Sequence, residues 1–115
     1  MEDNRLHKIF IIEDDVKLRG ALSVLLKNYN YKSAFSDDFE NIVSLAIKSE
    51  ADLVLLDINL PFFDGYYICR EIRKQSDVPI IIVTSRNNDM DELMSMNLGA
   101  DDFVTKPYNT QILLA

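Results

Sequence analysis

"DLVLLDINLPFFDG", Asp52 to Gly65, is the stretch that decides the architecture. Leu53–Leu56 is an unbroken apolar run, the pattern of a strand buried on both faces, and such strands belong to parallel sheets covered by helices. The run ends on a carboxylate, Asp57. Pro61 and Asp64-Gly65 follow, residues that end a strand and start a new element. In open parallel sheets, ligands gather beyond the carboxyl ends of the strands. A charge standing there is therefore a candidate for chemistry.

Working outward, the same alternation recurs. "KIFII" (Lys8 to Ile12) reads as a buried strand, and "VKLRGALSVLLKNYN" as a helix with Leu18, Leu22, Leu25 and Leu26 at helical spacing and Asp15 as its N-cap. "YKSAF" (Tyr31 to Phe35) is a weaker strand, and "NIVSLAIKSE" a helix with Ile42, Leu45 and Ala46 on one face. After Leu53–Leu56, "GYYICREIRKQ" is a helix that stops before Pro79, and "IIIV" (Ile80 to Val83) is the fourth strand. "NNDMDELMSMNLG" is a helix with Gly99 as its C-cap residue, "DFVT" (Asp102 to Thr105) a fifth strand, and "NTQILLA" the opening of a last helix. Five β-α repeats imply an α/β fold, a five-stranded parallel sheet with helices on both faces. The last helix stops at Ala115, so residues 1–115 are expected to be one domain of a longer protein, its final helix cut short.

Composition narrows the function. With 115 residues and 48% hydrophobic content the chain has material for one core. A net charge of -7 lacks the basic face of a nucleic-acid binder and suits a cation site better. One cysteine, Cys69, excludes an internal disulfide and fits a reducing, cytoplasmic setting. No apolar run approaches the roughly 18 residues of a membrane span, so no direct membrane contact is expected.

The strand ends carry the chemistry. Strand one ends in Glu13, Asp14 and Asp15, strand three in Asp57, strand four in Thr84 and Ser85, and strand five in Lys106 before Pro107. A parallel sheet sets these along a single edge. Crowded carboxylates repel one another unless a cation shares the site. Oxygen ligands suit Mg²⁺, and the lack of a His/Cys cluster argues against zinc. Asp14 and Asp57 read as direct ligands, with Glu13 acting through water. The implied chemistry is phosphoryl transfer to a carboxylate, with Asp57 as nucleophile and Lys106 answering the phosphate charge. Taken singly, Asp15 reads equally as a helix cap, Thr84 as a cap or core hydroxyl, and Lys106 as a solvated lysine. Pro107 favours an extended Lys106.

"IIEDD", "LLDINLPFFDG", "IIIVTSR" and "GADDFVTKP" together resemble the signature segments of response-regulator receiver domains of bacterial two-component systems, over nearly the whole chain. "GADDFVTKP" resembles the winged-helix (OmpR/PhoB-type) subfamily. "DGYYICREIR" with "TSRNNDMD" is similar to regulators of cell-envelope and antimicrobial-peptide stress in Gram-positive bacteria. The resemblance implies a flavodoxin-like (βα)5 fold of strand order 2-1-3-4-5, not an enzyme in its own right although it catalyses its own phosphotransfer and slow autodephosphorylation. It implies Asp57 as the phosphorylated residue, with Mg²⁺ held by Glu13, Asp14, Asp57 and the carbonyl of Asn59. Thr84 and Lys106 would contact the phosphoryl group, and Phe103 would swing inward as Thr84 moves. Asn59 and Arg86 fall where relatives tune phosphoryl lifetime. The implied partners are a sensor histidine kinase, a second copy through the face of the fourth helix, fifth strand and fifth helix, and DNA through a C-terminal domain lying beyond this chain. Two departures stand out: Phe103 replaces the commoner Tyr, and "NNDMDELMSMNL" has no basic residue for the expected dimer salt bridges. Met90, Leu93 and Met94 read as core-facing or as an adaptable apolar surface.

Other residues read more simply: Cys69 as buried filler, His7 as a surface residue, and Tyr66 and Tyr67 as straddling a helix–sheet boundary. Phe62 and Phe63 read either as kinase-docking or as loop-packing. Rival readings remain: an Asp-nucleophile phosphohydrolase, which would want an acid where Asn59 stands; a degenerate receiver, which would lack one of the signature residues; and a flavin-binding domain, which would want a Gly- and hydroxyl-rich loop after strand one.

Overall fold

The computed structural model describes residues 7–84, 100 and 102–105, with the main chain alone at 84 and 102–105. The elements run β1 (His7–Ile12), α1 (Val16–Asn28), β2 (Tyr31–Phe35), a 3-10 turn (Phe39–Asn41), α2 (Ile42–Lys48), β3 (Leu53–Leu56), α3 (Gly65–Arg73), β4 (Ile80–Thr84) and β5 (Asp102–Thr105). The strands form one parallel sheet in the order β2-β1-β3-β4-β5. The expected β-α alternation is described through three helices. The expected helices over "NNDMDELMSMNLG" and "NTQILLA" lie outside the described residues, with Gly99, Met90, Leu93 and Met94.

The apolar runs are continuous because each strand feeds two cores. Successive side chains point to opposite faces. Phe10, Ile12, Val54, Leu56, Ile80 and Ile82 pack with Ile42 and Ala46 of α2 and Ile68, Cys69 and Ile72 of α3. Ile9, Ile11, Leu55 and Val83 face the other way and pack with Leu22 and Leu26 of α1. Ile68, Cys69 and Ile72 are fully buried, at about 1.5–3 kcal/mol for each large apolar side chain removed from water. β2 reads weakly because it is the outer strand of the order, paired with β1 alone, and none of its residues is fully buried.

Local signals set the boundaries. Asp15 caps α1, its side chain accepting from the amides of Lys17 and Leu18. Past the helix end, Asn30 takes a left-handed φ of 67°, a conformation Asn tolerates. Asp64 caps α3 through the Tyr67 amide. The helix expected over "NIVSLAIKSE" is shorter and is preceded by the 3-10 turn, which tucks Phe39 into the core. No helix among the described residues is long and apolar enough to cross a membrane.

Candidate acidic site at the carboxyl edge of the sheet

β1 and β3 are neighbours in register, Ile12 opposite Leu56, so the residues that follow them leave the sheet side by side. The Asp57 amide still donates to the Ile12 carbonyl at 3.0 Å, continuing the ladder one step past the strand. Asp57 is therefore held by the sheet itself. Its Oδ1 accepts from the amide of Ile58 at 2.7 Å and, more weakly, of Asn59 at 3.4 Å. Across from it, Glu13 and Asp14 form the β1–α1 loop. Carboxylate oxygens of Glu13, Asp14 and Asp57 lie within 4.8 Å of one another. Glu13 and Asp57 are buried and Asp14 is exposed, so the cluster has a wall and a mouth.

Asp15 stands apart. With its carboxylate spent on the first turn of α1, its N-cap reading holds, and the metal-capable group consists of Glu13, Asp14 and Asp57. The Asp15 amide in turn donates to Glu13 Oε2 at 3.2 Å, orienting that carboxylate.

The far side of the site is the loop from Asp57 to Gly65. It folds back sharply: the Gly65 amide donates to the Ile58 carbonyl at 2.8 Å, and the Phe63 amide to that of Pro61 at 2.8 Å. A Cβ on Gly65 would lie 2.3 Å from the Asp57 carbonyl oxygen and 2.6 Å from the Ile58 Cα, so only glycine lets α3 start this close to the site. Phe63 stacks on Tyr67, centroids 4.8 Å apart, which matches the loop-packing reading for that residue. Phe62 instead is 73% exposed with a φ of 68°. Tyr66 is half-buried and Tyr67 exposed, as a boundary position requires; His7 is exposed and Cys69 buried.

Of the other expected site residues, Asn59 sits in the Asp57 loop, two residues beyond that carboxylate. Thr84 is the last residue of β4, paired with Thr105, and Phe103 lies on β5 opposite Ile82; for both only the main chain is described. Arg86 and Lys106 lie outside the described residues. Two residues near the site, Arg19 and Asp37, escaped sequence reasoning. Arg19 is buried in α1 and bonds Asp37 and the Glu13 carbonyl. A signal existed, since Arg19 shares a helix face with Leu22 and Leu26 at i, i+3 and i+7.

Chemically, this is an all-oxygen donor set gathered at one point, two of its carboxylates out of water. It suits a hard divalent cation such as Mg²⁺ and offers Asp57 as a rigidly backed nucleophile.

Residues 9–115 match the family model described as the response regulator receiver domain. The chain is 42% identical over 110 residues to the transcriptional regulatory protein YxdJ of Bacillus subtilis (strain 168), covering 96% of this chain and 48% of that protein. It is 41% identical over 107 residues to the response regulator protein GraR of Staphylococcus saprophyticus, covering 93% and 48%. The chain thus spans about half the length of the curated relatives it matches. Among solved structures it is similar to the BeF3-activated N-terminal receiver domain of Klebsiella pneumoniae RstA, with a TM-score of 0.89 and 31% identity over 94% of this chain and 92% of that one. It is also similar to the N-terminal domain of the nisin resistance regulator NsrR, a lantibiotic response regulator, with a TM-score of 0.83 and 37% identity over 93% and 91%.

Proposed function

The chain belongs to the response regulator receiver domain family, and from that premise we propose that it accepts a phosphoryl group on Asp57 from a sensor histidine kinase in the cytoplasm. The observation that carries this reading is the convergence of the Glu13, Asp14 and Asp57 carboxylates at the carboxyl edge of the sheet. Receiver domains are generally signalling domains rather than enzymes; here the chemistry assigned is the domain's own phosphotransfer and slow autodephosphorylation.

Asp14, Asp57 and the Asn59 carbonyl would hold Mg²⁺, with Glu13 acting through water. When bound, the ion supplies the positive charge that lets crowded carboxylates and phosphoryl oxygens share the site. The Asp57 carboxylate, supported by the ladder bond beneath it, attacks the phosphorus of the donor phosphohistidine. The new O–P bond forms as the N–P bond breaks, and the imidazole leaves with the electron pair. Loss of the phosphoryl group to water returns the carboxylate. While Asp57 carries the phosphoryl group, Thr84 hydrogen-bonds one of its oxygens and Lys106 pairs with the added charge of about -1.5 to -2. Phe103 packs inward behind Thr84. That movement would bias the face of the helix expected before β5, β5 itself and the helix expected after it, and so favour a homodimer.

Control of transcription follows through a DNA-binding domain outside this chain, since curated relatives about twice its length are transcriptional regulators. The likeness to the nisin resistance regulator supports a role in cell-envelope or antimicrobial-peptide stress.

Incubation with acetyl phosphate and Mg²⁺, read by intact mass, tests the reading. One phosphoryl group is expected on the wild type and none on Asp57→Asn. Equal labelling of both proteins would remove Asp57 from its role, and turnover of a generic phosphate ester would favour a phosphohydrolase.

A further inference from the structure

Among the described residues three charged side chains are buried: Glu13, Asp57 and Arg19. The acidic site accounts for the first two. A guanidinium withdrawn from water beside that site calls for its own account, since a buried charge persists only when it is paired and hydrogen-bonded.

Arg19 ties three segments together. Its Nη1 donates to Asp37 Oδ1 at 2.8 Å and to the Glu13 carbonyl at 3.3 Å. Its guanidinium carbon lies over the Phe35 ring, 4.1 Å from the centroid. The Glu13 carbonyl belongs to the peptide that joins Glu13 to Asp14. Fixing that peptide plane orients both carboxylates, while the Asp15 amide holds Glu13 Oε2 from the other side. The pairing is lopsided: the Arg19 side chain is 6% exposed and that of Asp37 79%. The counter-charge thus stands at the surface while the guanidinium faces the acidic loop.

We propose that Arg19 is a positioning residue for the cation site and that Asp37 is its compensating charge. Arg19 holds the Glu13–Asp14 peptide in the orientation that brings both acids to Asp57. Asp37 offsets a positive charge that would otherwise oppose a cation at the same place. The inference rests on the reading that Glu13, Asp14 and Asp57 hold Mg²⁺.

The two roles separate by variant. Arg19→Lys keeps the charge but loses the reach and the planar guanidinium that lies over Phe35 while its Nη1 serves both acceptors. Asp37→Asn keeps an acceptor for the guanidinium and removes only the surface charge. Calorimetric titration with Mg²⁺ of the 115-residue chain is the measurement, with a urea curve on each variant at the titration temperature to show that it is fully folded there. For Arg19→Lys the Kd is expected to rise about tenfold, the lower range for a residue that orients metal ligands, at every salt concentration. For Asp37→Asn it is expected to rise about two- to fivefold at low salt and to return toward wild type as salt is added. A merely structural role would lower the urea midpoint and leave Mg²⁺ affinity alone; both folded variants binding as wild type does would overturn the proposal. Absence of one-to-one binding by the wild type would instead remove the cation-site reading beneath it.

Discussion

Replacing Gly65 with alanine perturbs the site through one added methyl group. The new Cβ would stand 2.3 Å from the Asp57 carbonyl oxygen, against the 3.4 Å at which ordinary contact begins. The neighbouring Ile58 Cα, at 2.6 Å, blocks the other way out. Both obstacles are backbone atoms, so no side chain can rotate aside. The start of α3 and the Asp57 loop must part by about 1 Å, stretching the 2.8 Å bond from the Gly65 amide to the Ile58 carbonyl. Overpacking of this kind costs about 1–3 kcal/mol. Alanine's better helix propensity returns up to about 1 kcal/mol. A net loss of about 1–2 kcal/mol is expected for Gly65→Ala in urea unfolding followed by far-ultraviolet circular dichroism, with the slope unchanged. The larger effect is expected on chemistry, because the displaced atoms carry the proposed nucleophile, Asp57: a shift of about 1 Å is expected to lower the acetyl phosphate reaction by about 100-fold. Wild-type stability together with a wild-type rate would refute the claim that glycine is kept here for close approach.

Asp15→Ala is expected to cost about 1 kcal/mol as a lost helix cap, with Mg²⁺ affinity barely changed in titration; a large drop in affinity would make Asp15 a ligand. Phe62→Asn is expected to raise stability by about 0.5–1 kcal/mol in the same urea assay, because Phe62 holds a φ of 68° while 73% exposed. Lys106→Ala is expected to retain some phosphorylation by acetyl phosphate but to lose the change in oligomeric state that accompanies it, as measured by light scattering.

The strands were legible because their apolar runs are unbroken, and the runs are unbroken because both faces of β1, β3 and β4 meet helices or core. The grouping of Glu13, Asp14 and Asp57 was equally legible, since a parallel sheet brings the ends of adjacent strands together whatever lies between them in sequence. The division of labour within the acidic run was not. Asp15 could be ligand or cap on spacing alone, and only the hydrogen bonds to Lys17 and Leu18 decide it. Phe39 was missed because a 3-10 turn has no long periodic pattern to reveal a buried face. Arg19 was passed over because charged residues on amphipathic helices usually face water, and its partners lie on segments that meet it only in the fold.

The central claim is that Glu13, Asp14 and Asp57 form a single divalent-cation site at the carboxyl edge of the sheet. Mn²⁺, an oxygen-seeking paramagnetic stand-in for Mg²⁺, tests it directly in an amide NMR titration. Broadening is expected first and together at residues 13, 14 and 57–59, with competition by Mg²⁺ restoring the signals. Broadening that begins elsewhere, or that Mg²⁺ does not reverse, would contradict the account.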